Sequence, residues 1–488
     1  MTDSRPPARS LPLWLYYGVL LLVASAFVLH DNSADRDLWH RLALGQYVFQ
    51  NGALPSHDVF SYLSESTPLH DHEWGCGVLF YTLYHFLGDW SLVALKLAAY
   101  LAVIVLIDVT ARFYYKAMDL LSLSWMLLVA LALVPVYVST VRCLVFTNLF
   151  LALWLYWLAR LQAGYKMPAW PFVLTAVLWA NLHGGFPAGL GLLALYGLGE
   201  KLNRRPWEPF FRIGFFAAVA TLFNPYTYQL WLSTAKAVAS PRLHIYEWAA
   251  TPLGDFSYFG FKLLALATIL VVILLLVTGR ARANWDWVAI LVVGLPLILA
   301  VRHLRHLALF SIIAGVIVYR GVCLLRRPAS AAPTRHYLAV IVLPLLIIFG
   351  GFLLKNGDQY RLRVTEPDYP VRAVAFLEQN LPATGPAQKL LVPFNWGSYA
   401  SWQLFPRALV SLDGRYELVY SQQTYRAVTD FFYNAPDWDT TLRQNPPDVI
   451  LLPRRPELET RLLDSQHYRR VYSDDLAAVF YKTEPPAR

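Results

Sequence analysis

Residues 11–39 have the sequence LPLWLYYGVLLLVASAFVLHDNSADRDLW, in which an apolar run is followed at once by Asp31, Asp35 and Asp37. The apolar part, residues 12–29, has the length and composition of a membrane-spanning helix. No small-residue cleavage site follows the run, and a long acidic loop does, so we predict a retained span and not a cleaved signal peptide. The fold class then depends on how many similar runs the chain contains.

The composition of the whole chain is typical of a membrane protein. Of its 488 residues, 57% are hydrophobic and 15% are charged. This balance excludes an ordinary soluble enzyme and a disordered scaffold. Apolar runs separated by helix breakers predict a mainly α, polytopic membrane helix bundle with about eleven spans. The predicted spans are residues 12–29, 89–111, 118–137, 144–161, 168–183, 185–199, 210–224, 258–279, 286–301, 307–324 and 336–354.

The charge distribution predicts the orientation of these spans. The net charge of +9 belongs to residues 1–354, because residues 355–488 hold equal numbers of acidic and basic side chains. A tail without a basic stripe argues against nucleic-acid binding. If the N-terminus is cytoplasmic, every inside loop is basic, as the positive-inside rule requires, and an odd number of spans places the tail outside. The inside loops carry Arg5, Arg9, Arg112, Lys116, Arg160, Lys166, Lys201, Arg204, Arg205, Arg280, Arg282, Arg320, Arg326 and Arg327.

The sequence predicts two domains. Residues 1–354 form a transmembrane domain, and residues 30–88 are its first outer loop. Within this loop, residues 38–50 are predicted to form an amphipathic helix that ends at the Asn51-Gly52 turn. Residues 73–88 are short and aromatic, which favours an interfacial helix lying along the outer surface.

Residues 355–488 are predicted to form an extracytoplasmic α/β domain, because short β-rich runs alternate there with polar, helical stretches. Asp413 and Arg415 flank a glycine and are interpreted as a structural ion pair. The domain caps the membrane part in the favoured interpretation, and binds an acceptor glycan through exposed aromatic residues in the other. The predicted strands are Lys389–Phe394, Ala408–Leu412, Val449–Leu452 and Val471–Tyr481, and the aromatic residues are Trp396, Trp402 and Tyr416.

The first outer loop concentrates acidic side chains at the water–lipid boundary. A carboxylate there meets both a lipid-linked phosphate and a soluble acceptor, so Asp37 and Asp35 are the candidate catalytic residues. Asp58, His72 and Glu73 are candidate substrate-binding residues. The alternative for a single acid of this kind is a solvated side chain close to the membrane.

The run from His70 to Glu73 contains side chains of the types that bind metal ions. Its spacing matches no helical ligand pair such as H-x-x-x-H, and consecutive side chains on a helix diverge by about 100°. We therefore assign no metal ligand, and interpret the run as the acidic start of a helix. A divalent cation, Mg²⁺ or Mn²⁺, stays open as a cofactor.

A second group of polar residues lies at the outer ends of predicted spans, where ionisable groups are costly and mark function. Arg302, Arg305 and His306 break the positive-inside pattern, and Arg142 joins them as a candidate for binding the donor phosphate. The alternative is a set of interfacial cations paired with acids. Further candidate substrate-binding residues are Asn181, His183 and Glu247. For the first two, cavity lining and hairpin capping are both open.

Several short motifs are spread along the chain: D-x-D-L-W, a segment ending in D-x-F-S-Y, H-E-W, N-L-H-G-G-F, N-P-Y, E-W and a late R-H cluster. They cover Asp35–Trp39, Gly45–Tyr62, His72–Trp74, Asn181–Phe186, Asn224–Tyr226, Glu247-Trp248 and Arg302–His306. Together they resemble the bacterial multi-span proteins of the GT-C glycosyltransferase superfamily. The resemblance continues into the tail with Asn395-Trp396-Gly397 and Asp413-Gly414-Arg415.

This resemblance implies a sugar donor linked to a polyprenyl phosphate and an essential Asp in the first outer loop. It puts that Asp at position 37, with Asp35 as the alternative. The family motif has its His one position later, after two aromatic residues, so the resemblance gives His40 no role.

The predicted function is an inverting GT-C-type glycosyltransferase that moves a hexosyl or pentosyl group on the outer face of the bacterial cytoplasmic membrane. A polyprenyl phosphate leaves as a stable anion, so one Asp base suffices where a glycosidase needs two carboxyl groups. Arg302 and Arg305, assisted by His306, would stabilise the leaving phosphate. The predicted partners are a polyprenyl-phosphate-linked sugar, a glycan, lipid or protein acceptor, and membrane lipids. The alternatives are a lipid-linked-sugar transporter or flippase and a non-catalytic membrane assembly subunit.

Overall fold

The computed structural model describes residues 11–483, apart from residues 66–67, 114–117, 138–140, 240–245, 280–286, 326–342, 356, 367 and 434. Several sequence predictions fall outside the described residues. They concern Arg5, Arg9, Lys116, Arg280, Arg282, Arg326, Arg327 and residues 336–342 of the last predicted span.

The chain divides into two compact units. The helical unit comprises Met1–Asn32, Trp90–Thr227 and Pro241–Arg361. The mixed unit comprises Ser33–Asp89, Tyr228–Ser240 and Leu362–Arg488, so it combines the first outer loop with the tail. The sequence-based boundary at 354/355 did not anticipate that the outer loop and the tail belong to one compact unit.

The helical unit contains a helix that overlaps each of the eleven predicted spans. These helices are α1 Leu13–Leu29, α4 Trp90–Ala111, α5 Leu120–Tyr137, α6 Leu144–Gln162, α7 Trp170–Leu182, α8 Phe186–Leu202, α9 Glu208–Ala220, α11 Phe259–Val277, α12 Trp287–Arg302, α13 Leu307–Leu325 and α14 Leu343–Lys355. Short 3₁₀ turns lie at Tyr246–Trp248, Leu304–His306 and Gly357–Tyr360.

Five of the described helical segments are long and apolar enough to cross a membrane: Trp90–Ala111, Leu120–Tyr137, Leu144–Gln162, Phe259–Val277 and Leu304–Leu325. The chain is therefore a multi-pass membrane protein, and its predicted α-helical class is confirmed. The other apolar helices are shorter than about 18 residues, which is marginal for a bilayer. A total of eleven crossings stays a prediction.

A buried ionic cluster joins α1 to α4. Asp108 on α4 accepts hydrogen bonds from the hydroxyls of Tyr16 and Tyr17, both at 2.8 Å. Arg112, the residue directly after α4, donates to the same carboxylate from Nε at 2.8 Å and from Nη2 at 3.1 Å. Because each carboxylate oxygen has one tyrosine donor from α1 and one donor from Arg112, the charge is paired although Asp108 is buried.

A buried lysine holds the other end of α1. Lys96 on α4 is fully buried, and its Nζ donates to the carbonyl oxygens of Val28 at 3.3 Å and Asp31 at 3.2 Å. Carbonyls at a helix C-terminus lack partners within the helix, and the helix dipole favours a cation there. Lys96 therefore fixes the point at which the chain leaves α1 for the first outer loop.

The mixed unit contains three helices outside the tail and a compact α/β arrangement within it. The three helices are α2 Arg36–Asn51, α3 Trp74–Leu87 and α10 Gln229–Ala239. The tail follows the order α15 Val371–Asn380, β1 Gln388–Leu391, α16 Phe394–Leu404, β2 Ala408–Val410, α17 Tyr416–Val419, α18 Gln422–Phe432, α19 Thr440–Gln444, β3 Val449–Pro453, α20 Pro456–Asp464, β4 Tyr468–Ser473 and β5 Ala477–Lys482.

The five strands form one sheet in the order β2-β1-β3-β5-β4. The pairs β1–β2 and β1–β3 are parallel, whereas β3–β5 and β4–β5 are antiparallel. One core cluster joins apolar side chains of α18 and α20 to the strands, including Phe431, Leu462, Ile450 and Phe480. The small α/β fold predicted for the tail is therefore present.

Two strand predictions need correction. The run Val471–Tyr481 was predicted as one strand but contains parts of β4 and β5, because a turn intervenes. The Asp474 carboxylate makes this turn by accepting the backbone N–H groups of Leu476 and Ala477, both at 2.8 Å. Phe394 was placed at the end of a strand, but it begins α16, since Pro393 precedes it as the N-cap residue.

The first outer loop is hydrogen-bonded to the sheet of the tail. The Tyr62 N–H donates to the Val410 carbonyl at 3.2 Å, and the Val410 N–H donates to the Phe60 carbonyl at 3.0 Å. Ser61 forms a parallel bridge with Val410, the last residue of strand β2. Leu69, further along the loop, is part of the core cluster of the tail. The loop is therefore an additional edge of the α/β fold.

Helices α2 and α3 pack closely because glycines meet at their contact. A Cβ on Gly45 would come within 2.2 Å of the Gly77 carbonyl oxygen, and a Cβ on Gly77 within 2.8 Å of the Arg41 carbonyl oxygen. Both predicted helices of the outer loop are present, and Gly52 ends α2 in the left-handed conformation with φ 68°. The placement of α3 along a membrane surface stays a prediction.

The Asp108 cluster gives a test of the packing of α1 on α4. We expect Asp108→Asn to lower the free energy of unfolding by about 3 kcal/mol, because Arg112 loses its counter-charge in a buried pair. The measurement is thermal unfolding of the purified protein in detergent. Asp255→Asn is the control, since Asp255 is an exposed acid that pairs with Lys262 at 3.2 Å. Equal melting temperatures for the two variants would contradict the assignment.

Candidate functional site

Asp35 and Asp37 take different places at the start of α2. Asp35 is the N-cap residue, buried, and its carboxylate accepts the Asp37 backbone N–H at 2.9 Å. Asp37 lies in the first turn and is partly exposed. The helix dipole favours a carboxylate at both positions, and the Asp35 side chain also caps the helix. Asp35 and Asp37 both stay candidate catalytic residues, and Asp37 is the more exposed of the two.

The surroundings of Asp37 contain residues that the sequence did not indicate. One turn along α2, His40 is buried, and its Nδ1 lies 3.5 Å from the Ser398 hydroxyl on α16. The same hydroxyl accepts the Gly414 N–H at 3.1 Å. Gly414 itself lies against the Asp37 carboxylate, because a Cβ there would come within 2.9 Å of Oδ1. The candidate base is thus in contact with the Asp413-Gly414-Arg415 motif of the tail.

Arg41 organises the acids at the start of α3. Its Nη1 donates to both oxygens of Asp71, at 2.5 and 2.7 Å, and its Nη2 pairs with Glu73. Burial lowers the pKa of Arg41, but the carboxylates of Asp71 and Glu73 raise it above its ordinary value. The guanidinium therefore stays charged. Glu73, a candidate substrate-binding residue, is a partner of this cation. His72 Nε2 lies 3.8 Å from Glu73 Oε1.

The same arrangement bears on a metal site. Among the described residues, no group of three or more His, Cys, Asp or Glu side chains is placed to hold a metal ion. In the His70–Glu73 run, the two carboxylates turn to Arg41, so the donors needed by a divalent cation are neutralised by a guanidinium. These residues do not fit Mg²⁺ or Mn²⁺.

Arg415 forms the second buried ion cluster of the mixed unit. Its Nε lies 3.0 Å from both oxygens of Asp413, and Nη2 lies 2.5 Å from Oδ2. Its Nη1 pairs with Asp58. Burial lowers the pKa of Arg415, but Asp413 and Asp58 raise it well above the ordinary value. The predicted Asp413–Arg415 ion pair is present, whereas Asp58, predicted to bind substrate, is buried as the second partner.

Asp58 also holds its own loop. Its two carboxylate oxygens accept the backbone N–H groups of Phe60 and Ser61, each at 3.1 Å. The structure therefore gives Asp58 a structural place.

In the helical unit, the Glu247-Trp248 motif meets the R-H cluster. His303 Nδ1 donates to the Trp248 carbonyl at 2.8 Å, and the Arg305 guanidinium carbon lies 4.5 Å from the centre of the Trp248 ring. Arg142 pairs with Glu247 next to this tryptophan. Arg142 is thus bound to an acid that the sequence had assigned to substrate binding.

Arg302 and His306 flank the same cluster. Arg302 ends α12 and is exposed to solvent, and a cation at this helix end is favoured by the dipole. His306 is half-buried, with its ring 6.0 Å from that of His303. The structure brings His303 and Arg305 together beside Trp248, with His306 next to the His303 ring.

His183 and Asn181 hold the turn between α7 and α8. His183 Nδ1 accepts the Gly185 N–H at 2.9 Å and lies 2.7 Å from the Thr147 hydroxyl. Since Nδ1 is an acceptor, the neutral ring carries its proton on Nε2. The Asn181 amide donates to the carbonyls of Val177 and Phe223, at 2.8 and 2.9 Å. These contacts are those of hairpin capping.

The aromatic residues considered for acceptor binding are not exposed as expected. Trp396 and Tyr416 are buried, with 6% and 7% of their surface exposed, and the Trp396 indole N–H donates to the Asp368 carbonyl at 3.1 Å. Trp402 is half-buried and packs edge-on against Tyr81 and Tyr84. These side chains serve packing, because apolar rings gain most when removed from water.

Arg41, Ser398 and Gly414 received no role from the sequence, although signals were present. Arg41 lies among apolar residues of a predicted amphipathic helix, which indicates a buried cation with an acidic partner. The glycines of Asn395-Trp396-Gly397 and Asp413-Gly414-Arg415 indicate close backbone approach. Neither signal identifies the partner.

Comparison with known proteins found similar structures. No protein-family model matches the chain, and no curated protein does. The archaeal oligosaccharyltransferase AglB from Archaeoglobus fulgidus, in complex with an inhibitory peptide and a dolichol-phosphate, has a TM-score of 0.61 and 10% identity. The match covers 90% of this chain and 69% of AglB.

Two further solved structures are similar over almost the whole chain. ArnT from Cupriavidus metallidurans, bound to undecaprenyl phosphate, has a TM-score of 0.56 and 15% identity, and the match covers 96% of this chain and 97% of ArnT. The arabinofuranosyltransferase AftD from Mycobacteria has a TM-score of 0.57 and 14% identity, covering 99% of this chain and 41% of AftD. The resemblance seen in the sequence motifs is confirmed at the level of the fold. The chain has the fold of the GT-C glycosyltransferases.

Proposed function

We propose that the chain is an inverting membrane glycosyltransferase that moves a hexosyl or pentosyl group from a polyprenyl-phosphate-linked donor to a glycan, lipid or protein acceptor. In this proposal it acts on the outer face of the bacterial cytoplasmic membrane, with its N-terminus in the cytoplasm and its C-terminal α/β part outside. The fold supports the proposal, because the similar structures are glycosyltransferases solved with a dolichol-phosphate or with undecaprenyl phosphate.

The observation that carries the proposal is the position of Asp37. In the first outer loop, Asp58, Asp71 and Glu73 are bound to buried guanidinium groups. Asp35 is spent as a helix cap. Asp37 is partly exposed in the first turn of α2, where the helix dipole favours a carboxylate, and it lies beside Gly414 of the tail.

The proposed reaction needs one base. The acceptor oxygen attacks the anomeric carbon of the donor and loses its proton to the Asp37 carboxylate. The bond between the anomeric carbon and the phosphate oxygen breaks, and its electron pair leaves with the polyprenyl phosphate. Attack from the side opposite to the phosphate inverts the anomeric centre. The leaving group is a stable anion and needs no acid, in contrast to the alkoxide that a glycosidase releases.

Arg305, beside Trp248, and Arg302, at the end of α12, are assigned to the phosphate in this proposal. Arg305 is held by the Trp248 ring, and Arg302 is exposed at the end of α12. Guanidinium groups bind phosphate oxygens with paired donors, and preorganised positive charge stabilises a developing anion. His306 assists them, whereas Arg142 acts through its pair with Glu247. Asn181 and His183, which cap the turn between α7 and α8, are assigned to the substrate side in this proposal.

We expect Asp37→Asn to reduce sugar transfer by about 1,000-fold, because the amide cannot accept the acceptor proton. The measurement offers the purified protein a panel of polyprenyl-phosphate sugars and follows the release of free polyprenyl phosphate. Asp35→Asn is the matched comparison, since Asn caps a helix about as well as Asp. Asp475→Asn, at a carboxylate with 98% exposure, is the unchanged control. Activity in Asp37→Asn combined with inactivity in Asp35→Asn would move the base to Asp35.

We expect Arg302→Gln and Arg305→Gln each to lower kcat/KM for the donor by about 10- to 100-fold, because a charged hydrogen bond to the phosphate is lost. Arg302→Lys should recover part of the loss, since charge returns without the paired donors. Arg212→Gln on α9 is the control, at an exposed arginine of the same unit. Donor kinetics equal to those of the wild type in both Gln variants would contradict the phosphate assignment.

A further inference from the structure

We propose that the Asp413-Gly414-Arg415 turn positions the Asp37 carboxylate for proton transfer, with Gly414, Ser398 and Arg415 as positioning residues. The inference rests on the proposed function, because it takes Asp37 as the group that accepts the proton. It assigns a role in the reaction to the tail, which is far from Asp37 in sequence.

The first step is the contact between Gly414 and Asp37. A Cβ on Gly414 would come within 2.9 Å of Asp37 Oδ1 and within 3.3 Å of both His40 Nδ1 and Ser398 Oγ. Gly414 does not adopt a left-handed backbone conformation, so its lack of a side chain serves close approach and not chain reversal. A carboxylate, an imidazole and a hydroxyl therefore surround one backbone position.

The second step is the rigidity of the turn. The Gly414 N–H donates to Ser398 Oγ at 3.1 Å, and the Arg415 N–H donates to Asp413 Oδ1 at 3.0 Å. The Arg415 guanidinium then binds Asp413 and Asp58. Buried charges that are paired and hydrogen-bonded resist displacement, because moving one leaves the others uncompensated.

The third step explains how Ser398 reaches the turn. A Cβ on Gly397 would lie 1.7 Å from the Leu412 carbonyl oxygen and 3.1 Å from the Asp413 Cα. Gly397 therefore lets the start of α16 lie directly on the chain that precedes the turn. The glycines of the two tail motifs have one joint consequence, which is to bring Ser398 and Gly414 together beside Asp37.

The consequence for the reaction follows from distance. General-base catalysis requires the carboxylate within hydrogen-bonding reach of the acceptor hydroxyl. A displacement of about 1 Å can cost a factor of about 100 in rate. A flexible side chain in a first helical turn has several rotamers, and a rigid backbone beside it restricts them. The turn thus reduces the conformations that Asp37 must lose before reaction.

The experiment substitutes Gly414 by alanine and measures transfer from a polyprenyl-phosphate sugar by release of polyprenyl phosphate. The atom nearest to the new Cβ is the end of the Asp37 side chain, which can rotate, so the fold is retained and the carboxylate moves. We expect kcat to fall by about 100-fold with the donor KM and the melting temperature unchanged. Gly191→Ala, at a helical glycine with open space around it, should match the wild type.

Ser398→Ala tests the same positioning role of the turn without introducing a steric clash. It removes the acceptor of the Gly414 N–H, and we expect kcat to fall about 5-fold at an unchanged donor KM, in line with one lost hydrogen bond. A structural role alone would lower the melting temperature and the amount of active protein, but not kcat per active molecule. Gly397→Ala, whose Cβ meets backbone, provides that pattern of misfolding for comparison.

The outcomes separate the two proposals. No transfer by the wild type with any donor would overturn the proposed function. Transfer by the wild type with an unchanged kcat in Gly414→Ala and Ser398→Ala would overturn the positioning role of the turn and leave the proposed function standing. A loss in Gly414→Ala that follows the pattern of Gly397→Ala, together with a normal kcat in Ser398→Ala, would also overturn it.

Discussion

The mixed unit depends on one buried guanidinium, that of Arg415. It joins Asp58 of the first outer loop to Asp413 of the tail, and Asp58 and Arg415 are 357 positions apart. Only 4% of the Arg415 surface is exposed. Taking this charge out of water is costly, and the two carboxylates compensate only while all three groups stay together. The loop and the sheet are therefore held in one arrangement, because separating any one of the three charged groups leaves the others buried without a partner.

Arg41 has a comparable role for α2 and α3. It binds Asp71 and Glu73 where α3 begins, and glycines at the helix contact allow the close approach that this pairing needs. The two guanidinium groups pair with three acids of the loop, which are Asp58, Asp71 and Glu73. The base that we propose, Asp37, lies at the start of α2, beside the turn that Arg415 holds.

The helical unit shows the same selection among cations. Glu247 neutralises Arg142, and the adjoining Trp248 holds Arg305 by its ring and His303 by its carbonyl group. An aromatic ring keeps a guanidinium in place without cancelling its charge, whereas a carboxylate cancels it. Arg305 and Arg142, which the sequence offers as members of one group, are therefore held by different kinds of contact.

The sequence by itself determined those features that depend on neighbours along the chain. Apolar runs predicted the helices of the bundle, the amphipathic pattern predicted α2 with its end at Gly52, and alternating runs predicted β2 and β3. Acidic residues in the first outer loop and the late R-H cluster were recognised as candidates from their position relative to the spans. Hydrophobic period, capping and turn chemistry act over a few residues, so a single sequence contains them.

The tertiary structure alone decided which charges neutralise each other and which backbones touch. Asp58 was predicted to bind substrate because its distant partner Arg415 is invisible in the local sequence, and Arg142 and Glu247 were separate candidates for the same reason. Gly397 and Gly414 were noted only as parts of motifs, since a glycine reports that something lies close but not what. Ion pairing and close contact depend on distance in space, and distance between remote segments exists only once the chain has folded.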